Sequence, residues 1–267
     1  MTIVLKFGGS LVERGGYLSL LEDVAKVKEP IVMVHGGGRI VTDMSEKLGI
    51  KPRFVVSPSG MRSRLTDEKT IEVFQMVVAG KVNKDIVRHL QRLGVNAIGL
   101  SGIDGYLLKA RRKERILIVD EHGRRRFIDG GYTGKIVEVN TPLLKSIVEM
   151  GFTPVIAPLA LSLEYEPLNI DADAVALEVA RALNVEKLIF MTDVDGVFLD
   201  GKLVKEVVLP QDAEMWRKVG HGMMRKLYSA IKAVNEGDVK EAFIANGTIK
   251  NPLLSVLRGE TGTHVYK

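Results

Sequence analysis

Two short glycine clusters carry the first chemical signal: Lys6-Phe7-Gly8-Gly9-Ser10 and His35-Gly36-Gly37-Gly38. Each follows a β-rich apolar run. Glycine lets backbone amides converge on phosphate oxygens where a β-carbon would obstruct them. Lys6 stands beside the first cluster, where its ammonium could neutralise charge developing on a transferred phosphoryl group. Taken singly, either cluster could be only a tight turn. Their recurrence at successive strand ends, the edge at which open sheets bind ligands, favours an anion site. Neither is a P-loop (Gly-x-x-x-x-Gly-Lys-Ser/Thr) or the dinucleotide fingerprint Gly-x-Gly-x-x-Gly.

Three later segments supply complementary groups. Asn169-Ile170-Asp171-Ala172-Asp173 reads as a helix start with an excess of acid. Asp171 suits a cap, and Asp173 in the first turn could organise lysines or a nucleotide-bound metal. Thr192-Asp193-Val194-Asp195-Gly196 follows an apolar strand and has the composition of a sharp acidic turn. Lys226 closes another glycine-led helix start, Gly220 to Arg225, where a lone lysine is as readily a surface residue. Taken together, Lys6 and Lys226 would bracket a transferring group and Asp173 would hold both. Such chemistry depends on electrostatic preorganisation more than on a strong base, because an acceptor carboxylate is already ionised near neutral pH.

Other chemistries are excluded by composition. The 267 residues contain no cysteine, so disulfides, thiolate nucleophiles and cysteine zinc sites are absent. The histidines at 35, 89, 122, 221 and 264 form no pair with helical metal-site spacing, and no direct protein coordination of a metal is expected. A magnesium ion brought by a nucleotide needs few protein ligands and remains compatible. No Gly-x-Ser-x-Gly elbow occurs. The apolar runs are strand-sized, so no membrane span is expected. A strand-like run starts at Ile3, leaving no room for a signal peptide, and a cytoplasmic protein is expected.

The formal charge is +5, and much of it is local. From Lys109 to Arg126 eight Lys/Arg face three acids, and Lys51, Arg53, Arg62 and Arg64 precede Asp67 with no acid between. This asymmetry suits an acidic partner, or merely a solvated hairpin face. Aromatic residues are not interleaved with the basic ones, so a nucleic-acid platform is not expected.

The elements that must position these groups alternate. Residues 3–7, 31–34 and 95–98 read as strands. Tyr17, Leu20, Leu21, Val24 and Val27 mark one amphipathic helix, and Ile71 to Leu93 mark a long one capped by Thr66 or Asp67. Strands 154–157, 187–191 and 239–244 then alternate with helices 141–150, 171–183 and 223–236, and residues 264–266 read as a last strand. The pattern predicts an α/β fold with a mainly parallel sheet covered by helices. Residues 116–119 and 124–128 read as an inserted β-hairpin. A lobe boundary is placed near 158–170, where a polar loop is expected to join the strand ending at Ala157 to the helix opening near Asp171.

These motifs, in order, resemble the amino acid kinase family, in its acetylglutamate-kinase-like branch. The resemblance also includes Arg64-Leu65-Thr66-Asp67, Gly80-Lys81-Val82-Asn83-Lys84, Gly99-Leu100-Ser101-Gly102 and Gly262-Thr263. It implies an open three-layer αβα sandwich, with residues 1–165 as the amino-acid substrate lobe and 166–267 as the ATP lobe. It implies phosphorylation of a side-chain carboxylate by ATP and Mg2+, giving an acyl phosphate and ADP. Lys6 and Lys226 then match the transition-state lysines and Asp173 their organiser. Gly36, Gly37, Arg64 and Asn169 match the amino-acid site. Gly8, Gly9 and Ser10 match the phosphate cradle, and Thr192, Asp193 and Asp195 the nucleotide side. Family members are commonly homodimers.

Two segments depart from an ordinary acetylglutamate kinase. Ser57 to Arg64 carries additional residues, and Leu161-Ser162-Leu163-Glu164-Tyr165-Glu166 replaces a glycine-rich segment. With Gly131-Tyr132-Thr133-Gly134-Lys135 they resemble the branch acting on aminoadipate or glutamate linked to a small acidic carrier protein. That branch serves lysine and, in some archaea, arginine biosynthesis. The alternatives are an acetylglutamate kinase acting on the free substrate, and a non-catalytic regulatory module.

Overall fold

Alternation along the strands decides the architecture. In the computed structural model, which describes residues 2–13 and 15–267, Val4, Val32, Val34, Ile156, Leu188, Phe190, Ala242 and Ile244 point into one core. Their neighbours Ile3, Leu5, Phe7, Ile31, Met33, Val155, Ala157, Ile189, Met191, Phe243 and Ala245 point into a second core on the opposite face. Period-two side chains that are apolar on both faces require cover on both faces. The first core is closed by helices Thr141–Glu149, Ala172–Leu183 and His221–Asn235. The second is closed by Leu18–Val24, Gly38–Lys47, the helix starting at Glu68, and Pro252–Leu257. The result is the expected three-layer αβα sandwich.

The central sheet has eight strands. In spatial order they are Glu206–Val208, Thr263–Tyr266, Glu241–Asn246, Lys187–Thr192, Ile3–Phe7, Ile31–His35, Thr153–Ala157 and Ala97–Ser101. Neighbours are parallel except Glu241–Asn246 against Thr263–Tyr266. Ile3–Phe7 lies between Lys187–Thr192 and Ile31–His35, with Phe7 opposite Met191 on one side and His35 on the other. This register brings three motif-bearing strand ends to one edge of the sheet.

The inserted hairpin, Arg115–Val119 with Arg125–Asp129, forms as expected, but it does not join the central sheet. It pairs with a second hairpin, Arg53–Val56 and Arg62–Leu65, in a separate four-stranded sheet. Alternation is weak in these strands because neither face is deeply buried, so the 53–65 hairpin left little trace in the sequence. Strands Leu108–Arg112, Gly134–Val139, Leu159–Ser162 and Pro167–Asn169 build a further small sheet that the reading of 158–170 as a polar loop did not foresee.

Several boundaries moved. The strand expected at 95–98 is Ala97–Ser101, and the one at 239–244 is Glu241–Asn246. Asp67 caps the long helix by accepting the Thr70 amide at 2.9 Å. That helix changes to π geometry over Gln75–Val82 before resuming as Asn83–Arg92. The wider turn accommodates the run of four-residue spacings through Phe74, Val78, Val82, Ile86 and Leu90, which would drift off one face of a regular 3.6-residue helix.

Candidate active site

Lys6 shares its face of the strand with Val4, so its side chain rises toward the helices of the first core. There its Nζ lies 2.7 Å from Asp173 Oδ1, while Lys226 Nζ lies 3.4 Å from Oδ2 of the same carboxylate. Lys6 and Asp173 are each 4 % exposed. Three groups scattered through the sequence therefore meet as two ammoniums on one carboxylate.

Local structure explains the placement. Asp171 caps helix Ala172–Leu183 by accepting the amides of Asp173 and Ala174 at 3.0 and 3.2 Å. This fixes Asp173 in the first helical turn. Lys226 sits in the second turn of His221–Asn235, and Arg225 beside it pairs with Asp171. Burial resists ionisation of Asp173, but Lys226 and Lys6 outweigh it and hold the carboxyl below the usual carboxylate range. Burial lowers the Lys6 pKa, with Asp173 opposing the shift and Lys226 adding to it. Asp173 raises that of Lys226, against burial. Two lysines and one aspartate leave one net positive charge in a nearly dry place, and Asp173 Oδ1 accepts no well-aligned hydrogen bond. An incoming anion would balance that charge.

The glycine clusters face each other across this edge. A β-carbon on Gly36 would come within 2.7 Å of the Gly9 amide nitrogen, and one on Gly9 within 3.3 Å of the Gly38 nitrogen. Gly9 and Ser10 open one helix while Gly37 caps the next, so first-turn amides from both converge. Gly8 lies over Lys6, whose Nζ would be 3.7 Å from a β-carbon there. Beneath the second cluster, buried His35 touches the Gly36 carbonyl through Nδ1 at 2.8 Å and the Asn83 amide through Nε2 at 3.1 Å. Asn83 also donates to the Val155 carbonyl at 2.8 Å. An acceptor role for Nε2 requires neutral imidazole, and burial lowers the His35 pKa to about 4.

The expected acceptor residues form a neighbouring group. Arg64 Nη2 donates to the Gly38 carbonyl at 2.6 Å and to Thr42 Oγ1 at 2.7 Å. Its guanidinium carbon lies 4.8 Å from the centre of the Phe54 ring. Asn169 Nδ2 donates to Thr66 Oγ1 at 2.9 Å, two residues from Arg64. Thr66 borders a cavity of about 960 Å³ lined mainly by the 53–65 and 115–129 hairpins, with Phe54, Arg112 and Tyr132 in its wall. Thr192 ends the strand beside Ile3–Phe7, and its Oγ1 donates to Asp193 at 3.3 Å. Asp195 accepts from Asn246 at 2.8 Å.

Sequence reasoning gave no role to Arg225, Asn83 or Asn246, although the first two lie inside motifs it singled out. Their partners are remote in sequence, so spacing alone held no signal for the contacts. Among the described residues no group of three or more acidic or histidine side chains could hold a metal.

The description "Amino acid kinase family" matches residues 1–246 of this chain. The chain belongs to the amino acid kinase family. Within it, LysW-aminoadipate/LysW-glutamate kinase of Saccharolobus solfataricus is 41% identical over 256 residues, 96% of each chain. A Nitrosopumilus maritimus protein provisionally named for the same activity is 46% identical over 263 residues, 98% of each chain. Among solved structures, N-acetylglutamate synthase of Neisseria gonorrhoeae, complexed with coenzyme A and N-acetyl-glutamate, is similar at a TM-score of 0.81 and 26% identity. The match covers 100% of this chain but 59% of that longer one. Carbamate kinase of Giardia lamblia bound to AMP-PNP shares the fold at a TM-score of 0.68 and 14% identity, over 100% of this chain and 98% of its own.

Proposed function

We propose that this chain phosphorylates the side-chain carboxylate of aminoadipate or glutamate carried on a small protein, using ATP. The observation that carries the reaction type is the Lys6–Asp173–Lys226 cluster beside two facing glycine turns. The acceptor's identity is supported by the names of relatives 41–46% identical over nearly the whole chain.

In this reading an acceptor carboxylate oxygen forms a bond to the γ-phosphorus as the bond to the β,γ-bridging oxygen breaks, and ADP leaves. Lys6 and Lys226 neutralise charge on the transferring group, and Asp173 keeps their ammoniums together without itself taking a proton. Amides of Gly8, Gly9 and Ser10 face the phosphate, and Gly36 and Gly37 line the acceptor side. Arg64 and Asn169 orient the acceptor, with the Arg64 fork suited to a carboxylate. Thr192, Asp193 and Asp195 border the nucleotide. Residues 1–165 would serve as the acceptor lobe and 166–267 as the ATP lobe. Mg2+, when bound with ATP, screens phosphate charge. The donor set suits an ion held mainly by phosphate and water, since the carboxylate nearest the reaction is already engaged by two lysines.

Basic residues at 51–64 and 109–126 would attract an acidic carrier and speed its association. A homodimer working in the cytoplasm fits the resemblance. No helix among the described residues is long and apolar enough to cross a membrane.

The deciding experiment compares ATP-dependent acyl-phosphate formation, trapped as hydroxamate, on carrier-linked aminoadipate, carrier-linked glutamate and free N-acetylglutamate. Turnover confined to the linked substrates is expected. Equal turnover on the free substrate assigns the chain to acetylglutamate chemistry instead, and no turnover on any of the three leaves a non-catalytic binding module.

A further inference from the structure

Arg225 has no task in the reaction just described, yet its guanidinium joins three segments of the chain. Nη1 pairs with Asp171 Oδ2. Nη2 donates to the Arg62 carbonyl at 3.1 Å and to Ser63 Oγ at 3.2 Å. Asp171 uses its other oxygen, Oδ1, to cap the helix that begins with Asp173. Strand Arg62–Leu65 carries Arg64, which ends on Gly38 and Thr42. A continuous series of polar contacts thus runs from the backbone amide of Asp173, whose carboxylate holds both lysines, through Asp171 and Arg225, to the hairpin on which Arg64 stands.

We propose that Arg225 is a positioning residue that couples the acceptor-holding hairpin to the phosphoryl-transfer centre. The inference rests on the kinase reading for its catalytic meaning, but the contacts do not depend on it. Asp171 balances the charge of Arg225, so the residue adds no net attraction for phosphate. What it supplies is geometry: a planar fork can hold a carboxylate with one nitrogen and a carbonyl with another. A lysine ammonium in its place could keep the charge near Asp171 but could not hold both partners in the same directions. Because Arg225 and Lys226 are consecutive, the same fork fixes where Lys226 meets Asp173. The 53–65 hairpin belongs to a sheet separate from the central one, so no ladder of the central sheet fixes it against helix His221–Asn235.

The test uses Arg225→Met, Arg225→Lys and the milder Ser63→Ala in the full chain, with two readouts. Hydrogen exchange of the ligand-free protein should show faster exchange over residues 53–65 in both Arg225 variants, with strands of the central sheet unchanged. Initial rates varied in both substrates should show the KM for the carrier-linked acceptor raised about tenfold, and the KM for ATP within about twofold of the parent. Ser63→Ala should give a smaller change in the same direction. Full rescue by Arg225→Lys would reduce Arg225 to a charge and overturn the coupling. Unchanged hairpin exchange would overturn it as well, and so would faster exchange with an unchanged acceptor KM. A parent protein inactive on every acceptor, with the hairpin still loosened in both variants, would overturn the kinase reading and leave the tie between hairpin and helix established.

Discussion

Lys226 and Lys6 hold opposite oxygens of Asp173, at 3.4 and 2.7 Å, so one carboxylate sets the separation of two ammoniums. Neither lysine could approach the other as closely without it. The cluster is an electrostatic device assembled before any ligand arrives, which is what charge stabilisation without reorganisation requires.

Lys6→Ala and Lys226→Ala should each lower kcat about 100-fold or more while leaving the fold intact. Circular dichroism and saturation kinetics at matched ATP would check both halves of that statement. Near-parent turnover in the two variants would remove the lysines from the reaction. Asp173→Asn should behave differently, because it leaves two buried ammoniums facing each other. A lower melting temperature together with lost activity is expected, and an unchanged melting temperature would contradict the buried-pair account.

Arg64→Ala should act on the acceptor. Loss of the fork removes its bonds to Gly38 and Thr42 as well as a donor for the acceptor, so the acceptor KM should rise at least about tenfold with ATP saturation unaltered. Two-substrate initial rates decide it, and an unaltered acceptor KM takes Arg64 out of the acceptor site.

Two glycines offer a contrast. Gly36→Ala would press a methyl to 2.7 Å from the Gly9 nitrogen, a backbone atom that cannot swing aside. Overpacking of that kind costs about 1–3 kcal/mol, and here it also displaces the facing amides. Gly80→Ala meets nothing within 4 Å and lies in a helix, so it should be neutral or stabilise by up to about 1 kcal/mol. Urea unfolding of the pair tests the comparison, and equal effects would contradict the proposed close approach of the two turns.

His35 sets a pH dependence of stability. Its folded pKa, about 4, lies below the ordinary 6.5, so the unfolded chain binds the proton more readily. Folded stability should therefore decline as pH falls from about 6.5 toward 4, by an amount on the order of 3 kcal/mol in all. Asp173, whose pKa is also depressed, adds its own loss as pH falls through the unfolded carboxylate range, from about pH 5 downward. Between about pH 6.5 and 5 the decline therefore belongs to His35. Urea unfolding at pH 7, 5.5 and 4.5 should give a shallower decline in His35→Gln than in the parent. Parallel declines would show that His35 is not the titrating group.

Much of the layered fold is legible without coordinates. Strands apolar on both faces, alternating with amphipathic helices, have few ways to bury their surfaces other than a covered parallel sheet. The glycine clusters were legible for a similar reason: each is a local requirement for close backbone approach, written in consecutive residues. Asp171 and Asp67 could be read as caps because a cap acts within its own turn.

What the sequence determined by itself is therefore local: where strands end in glycine, which helix carries Asp173, and that Lys6 and Lys226 were candidates. That Asp173 would hold both lysines was an expectation, and only the tertiary structure decided it, because the meeting depends on which strands are neighbours and which face each helix covers. The same holds for Arg225 on the 53–65 hairpin and for Asn83 beneath His35. Sheet order and register, not spacing along the chain, turned three separate charged residues into one site.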